Sequence, residues 1–177
     1  MFSMDDKMFN RESIYTSRAG LVLAAPFFPK LFDRLGYLIN GIFVEDSTQS
    51  RAVHILEFIV TGYENVEEHA LVLQKLLSGL PIQKPVDPLD ELTEQEIEIS
   101  ESMLNALLSN WPGLEHTTID ALRETFLQRE GRLQEEDGQW TLSVEIKSVD
   151  VLIDRIPWSI GVIKLPWMKN VLKVEWR

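Results

Sequence analysis

The 177-residue chain contains no cysteine. That excludes a disulfide framework, a thiolate metal site and a cysteine nucleophile. Basic residues are scarce relative to acidic ones, 17 against 28, and the net charge of −11 opposes capture by DNA, RNA or an anionic membrane, which take most of their affinity from Lys and Arg. No long apolar run is present. The longest, residues 19–28, is interrupted by Gly20 and Pro26 and is about half the roughly 20 residues needed to span a bilayer. The G-x-S-x-G elbow, the P-loop and the dinucleotide fingerprint are all missing.

What remains, 45% apolar and 25% charged residues, describes a globular chain with a substantial core. Residues 1–17 mix acidic and basic side chains without the charge order or apolar centre of a signal peptide, and they read as a flexible leader. Residues 18–177 read as one α+β domain, helical over 18–130, with a small sheet and a short helix over 131–177.

The helical half is legible from spacing. Residues 21–35 predict two short helical pieces, bent at Pro26 and Pro29. Ala52, Ile55, Leu56, Ile59 and Val60 form an amphipathic stripe that ends at Gly62, a residue suited to a left-handed cap. A helix over 67–78 stops at Gly79, before a proline-rich connection. Thr93 and Glu96 have capping-box spacing and open a helix that ends before Trp111. The last helix covers about 118–129. Beyond it the period changes to 2: Trp140, Leu142, Val144 and Ile146 alternate with polar residues behind an Asp137-Gly138 hairpin signal. A short helix over 149–156 and two strands, at 158–165 and 171–176, complete the chain. The expected fold is therefore α+β, mainly a helical bundle with a small C-terminal antiparallel sheet.

Catalytic signals are weak. His54, His69 and His116 are dispersed; His54 and His69 could share a metal with Glu57, Glu67 or Glu68 if their helices pack together, but partly buried or surface positions explain them as well. The acidic triplet at Glu135, Glu136 and Asp137 reads as a solvated turn. Four of the five tryptophans lie in the last 38 residues, where such side chains serve as core wedges or interface anchors. Trp158, Trp167 and Met168 are candidate interface residues. Leu122, Arg123, Phe126, Arg129, Asp154 and Arg155 are the candidate structural centre, with Arg123 or Arg129 placed to pair with Asp154.

Several ordered blocks resemble the contractile injection system tape-measure family: AGLVLAAPFFPKLFDRLG (19–36), RAVHILEFIVTG (51–62), EHALVLQKLLSGLP (68–81), NWPGLEHTTIDALRETFLQREGRL (110–133), DVLIDRIPWSIGVIKLPWM (150–168) and VEW (174–176). The block at 74–79 reads QKLLSG where many relatives carry Asn and Cys. The resemblance implies a structural, non-enzymatic component of phage-tail-like particles, without a cofactor or metal. Its implied partners are tail tube, hub or spike proteins, with self-association also open and no nucleic acid or membrane. Its implied location is the bacterial cytoplasm during assembly and then the particle. Tape-measure proteins extend through the tube and limit its length, whereas even one continuous helix of this chain would span only about 265 Å. The chain thus reads as the family's C-terminal globular region, anchoring at the tube and baseplate hub. The alternative is a soluble adaptor or chaperone for a tube subunit or toxin cargo.

Overall fold

A computed structural model describes residues 13–64 and 67–176. Most of the expected leader, residues 1–12, lies outside the described residues. Within its remaining part, residues 13–17, Ser13–Thr16 is strand β1. A 3-10 helix, Ala19–Phe27, follows and leads directly into α1, Phe28–Arg34. The short strands β2 (Leu38–Ile39) and β3 (Ile42–Phe43) form a hairpin, and α2 covers Asp46–Thr61. A 3-10 turn, Glu68–Leu71, opens α3, Val72–Leu77. After the proline-rich connection comes α4, Glu94–Asn110, and then α5, Ile119–Leu122, which continues as a π turn over Arg123–Leu127. The hairpin β4 (Gly131–Glu136) and β5 (Gln139–Val144) is followed by a 3-10 helix, Ser148–Arg155, and by β6 (Val162–Ile163) and β7 (Leu172–Glu175).

The sheet is five-stranded in the order β1-β4-β5-β7-β6. It is mixed: β5 and β7 run parallel, with Trp140 opposite Leu172 and Leu142 opposite Val174, while the other pairs are antiparallel. A helical bundle carrying a small C-terminal antiparallel sheet is therefore not the architecture, which is a mixed α/β fold. Two long-range pairings account for the difference. Strand β1 comes from the other end of the chain, and the parallel pair requires a long crossover that local alternation does not reveal.

The centre of the molecule is the 3-10 helix Ala19–Phe27, in which every residue from Ala19 to Ala25 is buried. An almost wholly apolar segment cannot present a polar face, so the part from Ala19 to Ala25 is enclosed, and only Pro26 at its end is exposed. It packs against α2, α4, the π turn and β5. Gly20 permits the closest approach, because a Cβ there would lie 1.7 Å from the Phe126 carbonyl oxygen. Leu133, Leu142, Leu172 and Val174 close the core from the inner face of the sheet.

Local signals are realised where they were read. Gly62 caps α2 with φ 78° and donates its N–H to Phe58 O at 2.7 Å. Thr93 and Glu96 form the full capping box at the start of α4. Asp137 and Gly138 both have positive φ, as a type I′ hairpin turn requires.

Candidate protein interface

The expected structural centre divides into an inside and an outside. Leu122, Arg123, Phe126 and Arg129 are buried, whereas Asp154 and Arg155 are exposed on the 3-10 helix Ser148–Arg155. The carboxylate that Arg129 takes is Asp150, not Asp154. Arg129 Nη1 donates to Asp150 Oδ2 at 2.7 Å and Nη2 to Oδ1 at 2.8 Å, and both side chains are 0% exposed. Arg129 also donates to the carbonyls of Thr125 and Glu145. Asp150 accepts further bonds from Lys147 N and Trp176 Nε1, both at 2.9 Å. Burial opposes the Asp150 charge, but the bonds from Arg129, Lys147 and Trp176 outweigh it and hold its carboxyl below the ordinary value.

Arg123 has a different task. Its guanidinium donates to Ile59 O at 3.0 Å and Phe58 O at 3.1 Å, so it satisfies carbonyls in the last turn of α2. It also lies 3.5 Å from Asp120. Burial lowers its pKa, against the pull of Asp120 and Glu101.

Two more polar clusters join distant segments. Arg18 donates to Glu57, which also accepts from Gln74, linking the chain before the core helix to α2 and α3. Glu96 accepts from both Tyr37 and Arg51. Burial opposes ionisation of Glu96, yet the bonds from Arg51, Tyr37 and Thr93 prevail and hold its pKa at about 2. Burial and the neighbouring Glu96 push the Tyr37 phenol upward. Glu96 is thereby held in its charged form, an arrangement that positions segments and does not supply a proton. The histidines are not gathered: His54 is buried in α2, with Nε2 against Asp87 O at 2.7 Å, and His69 lies beside Glu67 on the surface. Among the described residues no three His, Asp or Glu side chains form a metal-sized group.

The tryptophans act as links between segments. Trp111 donates to Leu152 O at 2.7 Å, Trp158 to Leu23 O at 2.9 Å and Trp167 to Leu77 O at 2.8 Å. Trp158 is half-buried and meets Phe27 edge-on. Trp167 is also half-buried, edge-on to Phe32 and Phe43. Met168 points inward, in the core cluster, with its sulfur accepting from Leu165 N. Beside Trp167 a half-open groove of about 360 Å³ is lined by Leu76, Leu80, Pro81, Trp140, Met168 and Leu172, among others. Thus Trp167 and Met168 adjoin one surface feature, while Trp158 belongs to another, next to Phe27.

Sequence reading missed the Arg129–Asp150 pair, because nothing local relates residues 21 positions apart. One local signal was available: Asp150 lies three residues after Lys147 and reaches back to its N–H, as a first-turn acid does.

No described helix is long and apolar enough to cross a membrane. No curated protein and no solved structure matches the chain significantly. The family model described as contractile injection system tape measure protein matches residues 5–176. With nearly the whole sequence matched, the chain belongs to the contractile injection system tape measure protein family.

Proposed function

We propose that this chain is the globular anchor of a tape-measure protein, docked at the tube and baseplate hub, where it supports tube assembly and length control. The observation that carries this reading is the family match across residues 5–176. The internal ties agree with it. Three charged clusters and several indole N–H bonds connect segments far apart in sequence, as suits a body that must hold its shape while neighbours assemble on it. The partners are tube, hub or spike proteins. The protein acts in the bacterial cytoplasm during assembly and is then carried in the particle. It has no catalytic step in this role.

Quantitative mass spectrometry of purified, sheath-complete particles tests the reading. An anchor is retained at a fixed ratio to the hub. Absence from finished particles, with presence in assembly extracts, would instead assign the chain as an adaptor or chaperone for a tube subunit or cargo.

A further inference from the structure

The β2–β3 hairpin is apolar on both faces. Leu38 and Phe43 are register partners that pack on the core, and Phe43 stands edge-on to Trp167 at 5.0 Å between centroids. Ile39 and Ile42 are the next register pair and point the other way, 59% and 46% exposed, with Val44 beside them at 55%. A solvent-facing ribbon ordinarily carries polar residues on its outer face. No charged residue occurs from Leu35 to Val44, so this knob is also electrically neutral.

The groove beside Trp167 is its counterpart. Leu80, Pro81, Trp140, Met168 and Leu172 give it an apolar lining, and Lys169 is the sole ionisable residue among those that line it. Knob and groove adjoin, because Phe43 touches one side of Trp167 and the next residue, Met168, is a wall of the groove. A protrusion and a cavity side by side on one surface are self-complementary under a twofold axis, in which each copy gives its knob and receives the other's.

We propose that this surface is a twofold contact between two copies of the chain, with Ile39 and Ile42 of each seated in the groove of the other. Charge supports this occupant. The chain's net charge of −11 opposes self-contact over most of the surface, but the hairpin is neutral. Glu45, which follows the hairpin in sequence, would approach the groove-lining Lys169 of the second copy, whereas Asp46 already pairs with Lys84 of its own chain at 3.5 Å. In the reciprocal arrangement each copy buries its own knob and its own groove once, which makes a small contact at the weak end of the interface range. The inference stands independently of the anchor role.

The test is sedimentation velocity of the purified full chain across about 1 to 200 μM, together with Ile42→Asp. The expected result is a monomer–dimer equilibrium whose dissociation constant rises roughly tenfold or more in I42D, with an unchanged circular dichroism spectrum because Ile42 is on the surface. The lack of native cysteine permits a second measurement. Mixing I42C with a mass-tagged K169C chain should give the mixed disulfide in preference to either homodimer. A monomer at every concentration, a dimer indifferent to I42D, or cross-linking without that preference would each overturn the proposal. A monomer that floats with neutral phosphatidylcholine vesicles would overturn it in favour of a membrane-inserting loop.

Discussion

Arg129 and Asp150 form a two-bond ion pair from which water is excluded on both sides, at 2.7 and 2.8 Å. The pair joins the end of the π turn to the 3-10 helix after β5, and through Trp176 it also fixes the residue that follows β7. Arg129 further lies over the Trp176 ring, 5.2 Å from its centroid. Removing one partner strands a charge in the core. Arg129→Met and Asp150→Asn should each therefore lower unfolding stability by about 3–5 kcal/mol. In urea denaturation, the double variant R129M/D150N should lose less than the sum of the two single losses. Additive losses would show that the pair is not the energetic unit.

Stability should fall in acid through Glu96. Its pKa is depressed from 4.5 to about 2, so its contribution is complete above pH 4.5 and is lost as pH drops toward 2. Asp150 is shifted in the same direction and adds to the slope. Chemical denaturation at pH 7, 4 and 2.5 should show a shallower acid loss for Glu96→Gln than for the unaltered chain. Equal slopes would remove Glu96 from the acid response.

Two glycines make opposite predictions. Gly20→Ala places a methyl 1.7 Å from the Phe126 carbonyl oxygen, and neither backbone segment has room to retreat from the buried centre. The cost should be about 3 kcal/mol or more, at the upper end of overpacking. At Gly161 nothing lies within 4 Å of the added carbon, and Gly161→Ala should stay within about 0.5 kcal/mol of the unaltered chain. Thermal denaturation of the two variants side by side is sufficient to check both.

The legible parts of the fold are those written in adjacent residues. Gly62, the Thr93–Glu96 box and the Asp137-Gly138 turn each require only a few neighbours, and each occurs where the sequence places it. Asn40-Gly41 carries the same kind of turn signal, with φ of 53° and 82°, but the two-residue strands it joins are too short for alternation to reveal. Residues 21–35 are expected as two short helical pieces, and they occur as the 3-10 helix Ala19–Phe27 followed by α1, Phe28–Arg34. Strand β1, the parallel β5–β7 pair and the partner of Arg129 all depend on segments distant in sequence. Periodicity reports which face of an element is apolar and not which element covers it. The same limit applies at the candidate interface, where Met168 lies inward and Trp167 is shared between the core and the surface.

Trp167 separates a packing role from a hydrogen-bonding role. Trp167→Phe keeps a ring against Phe32 and Phe43 but removes the N–H that Leu77 O accepts. The expected loss is about 1 kcal/mol, read as a shift in urea midpoint with an unchanged slope. A loss of several kcal/mol would show that the indole's size matters more than its hydrogen bond.

The most direct test of the anchor role is electron microscopy of particles from cells whose gene lacks the region encoding residues 18–177, scored for particle yield and tube length. An anchor that nucleates the tube predicts loss of assembled particles, and a role in length control after nucleation predicts tubes of irregular length. Normal yield together with normal length would contradict both.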